Sequence, residues 1–230
     1  MDRRSLKELE LDAVARLYNV IPVKTGIQTE TPAPSVPAPA VPSPGATWEE
    51  LRIQAAACRA CDLCKQRKQA VFGVGSETAP WLFVGEGPGA DEDEQGEPFV
   101  GQAGRLLDSM LAAIGCKRGR EVYIANVVKC RPPGNRTPTH EEAAACAPFL
   151  DRQIDLIGPR VIVALGKTAA TRLLGTEASL ASLRGRVHRY RGIPVVVTYH
   201  PAYLLRSLPE KAKAWEDLVF ARRTLQAAAA

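Results

Sequence analysis

The 230-residue sequence lacks any apolar run long enough to cross a membrane, since a spanning helix needs about 20 consecutive apolar residues. It also lacks the acid-free start of a signal or transit peptide, because Asp2, Glu8, Glu10 and Asp12 lie near its beginning. Neither sign of charge dominates: the net charge of +5 permits a polyanionic partner but does not require one. We therefore expect a soluble protein of the cytoplasm, with no membrane partner.

Proline is concentrated in one stretch, where six prolines alternate with Ala, Ser and Val: Pro32, Pro34, Pro37, Pro39, Pro42 and Pro44. This composition predicts an extended, polyproline-like linker at residues 22–46. It separates an amino-terminal helix within residues 1–21, which Ser5 can cap, from a folded domain at residues 47–230. The helix is either a frayed terminus or a small docking element for a protein partner.

Strands and helices alternate through the folded domain. Capping-box patterns at 47–50 and 139–142 start two helices, the second reaching about Ile157 unless Pro148 kinks or shortens it. Further helices are predicted at 103–114, 167–174 and about 209–225, with strands at 81–84, 122–128 and 161–165 and a hairpin formed by 187–190 and 193–198. This order predicts a three-layer α/β/α sandwich around a central, mainly parallel four-stranded sheet.

The stretch Gly85–Gly101, GEGPGADEDEQGEPFVG, follows the strand at 81–84. A Gly-rich turn at a strand end leaves backbone N–H groups free to face a ligand. Four acidic residues, 91–94, and the aromatic Phe99 come next. Together these groups can hold a flat, polar ring beside a carbon that becomes cationic; the alternative is a solvated acidic loop after a tight turn.

Six cysteines in a cytoplasmic protein would be kept reduced, so clustered ones indicate metal ligands rather than disulfides. Four of them could form a four-thiolate site: Cys58, Cys61, Cys130 and Cys146. Such a site fits either an iron–sulfur cluster or a structural zinc ion. Cys64 makes a rival CxxC pair with Cys61, and these residues would lie near one helix face if the helix begun at 47 persisted. Cys116 has no partner spacing and is interpreted as an unliganded thiol.

Two polar residues stand at strand positions. Asn126 lies within an apolar strand, where an unsatisfied amide would cost about 1–3 kcal/mol, so it either serves neighbouring backbone or contacts the edge of a ligand. The basic loop that follows, from Arg131 to Arg136, suits phosphate contact. His200 precedes Pro201, which ends the strand and leaves the imidazole at its end.

Two further segments suit DNA contact. Leu204-Leu205-Arg206 places apolar bulk beside a cation, as in a wedge that enters a base stack; alternatively, both leucines face the core. Four arginines around the hairpin could follow a phosphate backbone or solvate its edge: Arg184, Arg186, Arg189 and Arg191.

The segments GEGPG, EDEQGEPFVGQAGRLL, IANVVKCRPP and HPAYLLR, with the four cysteines, resemble the family 4 uracil-DNA glycosylases over about residues 48–225. The resemblance implies a [4Fe–4S] cluster at one side of the sandwich, on Cys58, Cys61, Cys130 and Cys146. It implies hydrolysis of the N-glycosidic bond between uracil and deoxyribose in single- or double-stranded DNA. We expect a monomer, associated with the nucleoid through this activity.

The resemblance also implies roles for site residues. Phe99 would stack on uracil, Asn126 would pair with its edge, and His200 would donate to its O2 as the base departs as an anion. Gly87 stands where other branches of the superfamily have a water-positioning aspartate. Water must therefore be placed by the backbone around Glu86 and Gly87, or by Glu92. The implied DNA contacts are Arg131, Leu204, Leu205 and Arg206.

Two other classes of protein compete with this interpretation. The first is a non-catalytic nucleic-acid-binding iron–sulfur protein, which would have no need for Asn126, His200 and Phe99 together. The second is a zinc-stabilised adaptor recruited through the Pro-rich segment. Colour separates the latter, since an iron–sulfur protein is brown and a zinc protein is colourless.

Overall fold

A computed structural model describes residues 42–43 and 45–227. The predicted amino-terminal helix and most of the predicted linker lie outside these residues. Over the described ranges, no helix combines the length and apolar character that a membrane span requires.

Eight α-helices and six strands are formed in the described part of the chain. The helices are α1 Trp48–Ala57, α2 Ala90–Gln95, α3 Gln102–Ala113, α4 His140–Ile157, α5 Lys167–Leu174, α6 Leu180–Leu183, α7 Pro201–Leu204 and α8 Glu210–Ala227. The strands are β1 Val74–Gly75, β2 Trp81–Gly85, β3 Val122–Asn126, β4 Val161–Leu165, β5 His188–Tyr190 and β6 Ile193–Thr198. Two short 3-10 helices lie at Asp62–Lys65 and Pro133–Asn135.

The strands form one mixed sheet in the order β1-β3-β2-β4-β6-β5. The four inner strands pair in parallel, whereas β1 and β5 are antiparallel edges. The predicted strand number of four is therefore wrong, and the sheet has six strands. β1 was missed because it has two residues and no alternating pattern, while β5 and β6 form the predicted hairpin.

Helices cover both faces of the sheet because successive strand residues point to opposite sides. On one face, Leu82 and its neighbours pack with α1, α4 and α5. On the other, Phe83 and its neighbours pack with α3 and α8. Strands β2, β3 and β4 are buried along their length, and β6 is buried except at its first two residues, as expected of a parallel sheet between two helical layers.

Side-chain caps define the starts of the two helices predicted from capping boxes. Thr47 caps α1 and Thr139 caps α4, each with the reciprocal glutamate contact. Helix α4 continues through Pro148 to Ile157. Helix α1, however, ends at Ala57, and Cys58 has extended backbone at φ −58° and ψ 137°. The expectation that Cys58, Cys61 and Cys64 share a helix face is therefore wrong.

The end of the predicted linker contacts the folded domain. The backbone N–H of Ser43 donates to Gln54 in α1 at 3.1 Å. Ala46 is buried, and its carbonyl accepts a hydrogen bond of 2.8 Å from Arg152 in α4. The packed domain thus begins a few residues before the predicted boundary at 47.

Candidate active site

A cavity of about 520 Å³ opens where the four parallel strands end. Because parallel strands place their carboxyl ends at one edge, residues distant in sequence meet there. The lining includes six predicted site residues: Glu86, Gly87, Glu92, Phe99, Asn126 and His200. Arg206 also lines it, so the structure brings together seven predicted residues from four segments.

Asn126 is the last residue of β3 and contributes an unpaired amide oxygen. The residue is 2% exposed, and its Oδ1 has no hydrogen-bond partner among the described residues. Gly85, the last residue of β2, lies opposite Asn126 in the sheet. A Cβ at Gly85 would lie 2.4 Å from the Asn126 Oδ1. Of the two interpretations of this amide, the ligand contact fits better, because a core amide serving the backbone would have its oxygen satisfied.

The ring of Phe99 lies against the ring of His200. Their centroids are 5.4 Å apart, and their planes are inclined by 30°. Phe99 has a φ of +56°, a left-handed conformation that is unusual for a bulky side chain. Surrounding contacts must therefore hold this backbone in place.

The Phe99 backbone is held from two sides. Arg118 donates to the carbonyls of Pro98 and Phe99 at 2.7 and 2.8 Å, and its Nε contacts Asp108 at 2.9 Å. In α3, Gly104 passes so close that a Cβ there would lie 1.8 Å from the Phe99 carbonyl oxygen. Only glycine fits at that position.

Glu92 holds the other side of the same loop. One carboxylate oxygen accepts from the N–H groups of Val100 and Gly101 at 2.9 and 3.1 Å, and the other accepts from Gly89 at 3.0 Å. Glu92 thus joins the Gly-rich turn to the segment after Phe99. With both oxygens engaged, it is poorly suited to placing water.

The acidic run is a short helix, so the alternative of a solvated acidic loop is wrong. Asp93 is 3% exposed and accepts from the backbone N–H of Lys68 at 3.0 Å. Two members of the run, Glu92 and Asp93, therefore accept hydrogen bonds from backbone N–H groups, while Asp91 and Glu94 are exposed.

Glu86 carries a carboxylate that is partly free to face the cavity. Thr168, at the start of α5, donates its hydroxyl to one oxygen of this carboxylate. Gly87 follows at a tight approach, since a Cβ there would lie 2.8 Å from a methyl group of Val128. A side chain at Gly87 would therefore require Val128 to shift.

His200 is positioned as a neutral hydrogen-bond donor. Its Nδ1 accepts from the backbone N–H of Ala202 at 3.1 Å, so the proton of the neutral ring lies on Nε2. The pKa of His200 is lowered to about 4, mainly by burial and also by the nearby charge of Arg206, while Glu92 opposes this shift. The imidazole is therefore uncharged at neutral pH.

The residues predicted to contact DNA differ in how far they are exposed. Leu204 is 1% exposed, so it packs in the protein and cannot contact DNA, whereas Leu205 is 38% exposed. Arg131 is half-buried and donates to the side chain of Asn135 at 2.7 Å, outside the lining. The predicted wedge is thus reduced to Leu205, with Arg206 beside the cavity.

The hairpin arginines are mostly held by carboxylates or backbone. Arg184 makes a two-pronged contact with buried Asp217 at 2.6 and 3.1 Å, and Arg191 contacts Asp155 at 2.9 Å. Arg189 donates to the carbonyl of Gly192 at 2.8 Å. Arg184 therefore has a structural role and is not available to follow a phosphate backbone.

Five of the six cysteines line a second, small cavity: Cys58, Cys61, Cys64, Cys130 and Cys146. None of the six cysteines forms a disulfide bond. Cys116 packs in the other core layer, as its interpretation as an unliganded thiol requires. Within the described residues, no three His, Cys, Asp or Glu side chains converge closely enough to hold a single metal ion. Cysteine thiolates are the usual ligands of iron–sulfur clusters, so the residues gathered in this cavity fit a [4Fe–4S] cluster by their chemistry.

One guanidinium and one backbone N–H donate hydrogen bonds to these sulfurs. Arg67 donates to Cys130 Sγ at 2.8 Å, and the backbone N–H of Lys129 donates to Cys146 Sγ at 3.2 Å. Burial raises the pKa of Cys130 to about 11 and that of Cys146 to about 12. A group that binds thiolates must overcome this preference for the neutral thiol, and nearby cations assist it.

Lys129 links the cysteine cavity to Asn126. Its ammonium is fully buried and donates to the Asn126 carbonyl at 2.9 Å and to Gln153 at 2.6 Å. Burial lowers the pKa of Lys129 to about 8, although Cys146 and Cys130 oppose this shift. The strand end that carries Asn126 is thus tied to α4, the helix that carries Gln153 and Cys146.

Sequence reasoning missed Arg118, Thr168 and Lys129. Arg118 and Thr168 have no local signal, because their partners lie 19 and 82 residues away. Lys129 did have a local signal, because it stands between a buried strand and a candidate ligand cysteine. A lysine that is buried at such a position must find hydrogen-bond partners.

An aromatic ring, an unpaired amide and a neutral imidazole at the strand ends of this sandwich define a protein that binds a flat, polar heterocycle. Residues 72–219 match the family described as Uracil DNA glycosylase superfamily. The chain belongs to this superfamily and, by the relatives that follow, to its type-4 branch.

Three type-4 uracil-DNA glycosylases illustrate the similarity. The protein of Thermotoga maritima is 51% identical over 65% of this chain and 79% of its own length. That of Archaeoglobus fulgidus is 48% identical over 65% of this chain and 78% of its own length. That of Pyrobaculum aerophilum is 46% identical over 70% of this chain and 86% of its own length.

Proposed function

We propose that this protein is a DNA-repair enzyme that hydrolyses the N-glycosidic bond between uracil and deoxyribose in DNA, releasing uracil and leaving an abasic site. The observation that carries the proposal is the unpaired Oδ1 of Asn126, buried in a cavity that also contains Phe99 and His200. A non-catalytic DNA-binding protein would not need this combination. The type-4 relatives further favour the enzyme.

Asn126 accounts for recognition of the base. The edge of uracil presents an N3–H donor and an O4 acceptor, which match the Oδ1 and Nδ2 of an asparagine amide. Cytosine presents an acceptor and a donor at the same positions, so it would leave a buried polar group unpaired. The flipped uracil would lie against Phe99, whose backbone is held by Arg118 and Glu92.

His200 accounts for the departure of the base. As the glycosidic bond breaks, negative charge develops on uracil O2, and the neutral Nε2–H of His200 donates to it. The backbone N–H of Ala202 donates to Nδ1 and so keeps the ring proton on Nε2 before the reaction begins. The neutral ring is therefore already prepared to donate. Its contribution belongs to the transition state, where a preorganised donor meets a developing anion.

Glu86 is our choice for placing the attacking water. The sugar becomes cationic as the base leaves, and a carboxylate near it both stabilises this charge and orients water. Thr168 holds one oxygen of Glu86, which leaves the other available at the cavity. Glu92 acts through the backbone of the Phe99 loop instead.

The group that we propose for the cysteine cavity is a [4Fe–4S] cluster held by Cys58, Cys61, Cys130 and Cys146. The convergence of cysteines supports it, as do the hydrogen bonds that the Arg67 guanidinium and the backbone N–H of Lys129 donate to two of the sulfurs. Its contribution would be structural, as a cross-link between the segment after α1, the loop after β3 and helix α4. We also propose that the protein acts as a monomer in the cytoplasm, since one chain forms the whole cavity.

The experiment is single-turnover incubation with an oligonucleotide that contains one uracil, followed by alkaline cleavage of the abasic site. Matched oligonucleotides with thymine or cytosine at that position are the controls. Cleavage confined to the uracil strand is expected. Binding without cleavage, in protein that contains iron, would favour the non-catalytic alternative.

A further inference from the structure

A stack of three side chains leads from the protein interior to the mouth of the cavity. The rings of Tyr199 and Tyr203 are 5.2 Å apart and inclined by 25°. The Arg184 guanidinium lies over Tyr199, 4.6 Å from the ring centroid. Tyr203 ends the stack; it is 39% exposed and lines the cavity.

The inner end of this stack is rigidly held. Arg184 contacts Asp217 through Nε and Nη2, and Nη2 also donates to the Lys213 carbonyl at 2.8 Å. Asp217 is 3% exposed, so the ion pair is shielded from water. Tyr199 therefore packs between a fixed cation and Tyr203, and the outer ring is oriented before any ligand arrives.

The outer end is attached to the group that meets uracil. Tyr203 and His200 belong to the same helical turn, where the Tyr203 N–H donates to the His200 carbonyl at 2.9 Å. Arg206 follows on this turn and lines the cavity, as does Lys167, whose ammonium also contacts Glu177 at 3.3 Å. An exposed aromatic ring beside cations suits a nucleotide chain, whose bases stack and whose phosphates are anionic.

We propose that Tyr203 is a stacking subsite for the nucleobase adjacent to the excised uracil, and that it serves unpaired strands. This inference rests on the proposed function, because the neighbouring base reaches Tyr203 only when uracil occupies the cavity. In a duplex the neighbouring base is paired and stacked within the helix. In a single strand its face is free, and an oriented aromatic ring can cover it.

The test is a double-perturbation cycle in which the neighbouring base and the Tyr203 ring are removed separately and together. On the DNA, a single strand carries an uncleavable uracil nucleotide flanked either by normal bases or by abasic sites on both sides. On the protein, Tyr203→Ala removes the ring and Tyr203→Phe keeps it. Trp215→Ala is the matched control, since Trp215 is 46% exposed but does not line the cavity.

For the normal strand we expect Tyr203→Ala to weaken binding by roughly 10-fold, within the range for one base–aromatic stack. Tyr203→Phe and Trp215→Ala should bind as the unaltered protein does. With abasic neighbours, Tyr203→Ala and the unaltered protein should bind equally. Equal losses on both strands would overturn the proposal, and so would an equal loss on a U·A duplex.

Two controls distinguish a failure of the stacking subsite from a failure of the proposed uracil-excision activity. Melting temperature shows whether Tyr203→Ala is folded, and the abasic strand tests the subsite in the unaltered protein alone. If the unaltered protein excises uracil but its affinity is unchanged by abasic neighbours, the stacking subsite is wrong and the enzyme function stands. If it excises no uracil from any strand, the proposed function itself fails.

Discussion

The Arg118 guanidinium donates a hydrogen bond of 2.8 Å to the carbonyl of Phe99, the residue whose ring lies against His200. The contact joins a residue from the segment before β3 to the Gly-rich loop after β2. It stabilises a left-handed backbone at Phe99 that the chain would not adopt by itself. The orientation of the stacking ring thus depends on a side chain remote in sequence.

Arg118→Ala should therefore weaken excision through Phe99. We expect a single-turnover rate about 10-fold lower and weaker inhibition by free uracil, with a loss of unfolding free energy of about 2 kcal/mol for charged hydrogen bonds. Arg118→Lys should recover part of the rate. Arg120→Ala is the control, since Arg120 is exposed and contacts Glu121 at 3.8 Å. A stability loss with unchanged uracil inhibition would limit Arg118 to a purely structural role.

The pH dependence of excision should reflect a neutral His200. Because burial lowers its pKa to about 4, the rate should stay nearly constant from about pH 8 to about pH 5 and fall towards pH 4. A rate that rises on acidification through pH 6 would show that the imidazolium is the active form.

The same shift predicts a change in stability. The folded-state pKa of His200 lies below the unfolded value of about 6.5, so the unfolded chain binds the proton first as pH falls. The stabilising contribution is present above pH 6.5 and is lost between about 6.5 and 4. The contribution of His200 is isolated by comparing the thermal unfolding of His200→Asn with that of the unaltered protein at several pH values. The difference in stability between the two proteins should vary with pH only in this window.

Rate and affinity should separate among three cavity variants. His200→Ala should slow excision by roughly 10²–10³-fold while affinity for an uncleavable uracil strand changes little. Asn126→Ala should resemble it in rate. Arg206→Ala should mainly weaken binding, and less so at high salt, because a cation near phosphate acts by counterion release. If His200→Ala lost affinity in proportion to its rate, the histidine would instead hold DNA.

Iron content should distinguish the cysteines. Cys130→Ala should lose iron and thermal stability, since Cys130 is buried and bonded to Arg67. Cys64→Ala should keep both, although Cys64 lines the same cavity. Iron analysis and visible absorption of the two purified variants give the comparison. Equal iron loss would refute this choice of ligands.

Deletions should locate the start of the domain. Removing residues 1–41 should leave single-turnover excision nearly unchanged, as expected if the predicted amino-terminal segment does not take part in chemistry. Removing residues 1–46 deletes the contacts of Ser43 with Gln54 and of Ala46 with Arg152, and should lower the melting temperature by a few degrees. A tenfold loss of activity in the shorter deletion would show that the removed segment supports catalysis.

Local signals were sufficient for most of the secondary structure. Thr47 and Thr139 start helices because a capping box lies within four residues and depends on little else. The inner strands were recognisable as short apolar runs, whereas the two-residue β1 was not. Among site residues, Phe99, Asn126 and His200 were identified through motif resemblance, and the structure brings them to one cavity.

Long-range contacts decided what the local pattern left open. Leu204 and Leu205 are the same residue type at adjacent positions, so the sequence does not distinguish them. Leu204 is buried and Leu205 is exposed, because the turn of α7 points only Leu204 inward. Arg184 is part of a basic stretch in sequence but pairs with Asp217, which lies 33 residues away. Glu92 likewise binds the backbone beside Phe99.

By itself, the sequence determined the order of helices and strands, the family and the chemical groups of the site, since these follow from local propensity and motif spacing. Tertiary structure alone decided which charged groups pair with other groups inside the protein and which face the cavity. The physical reason is that a buried charge or amide must be satisfied by groups that the fold brings near, and their distance along the chain is not constrained.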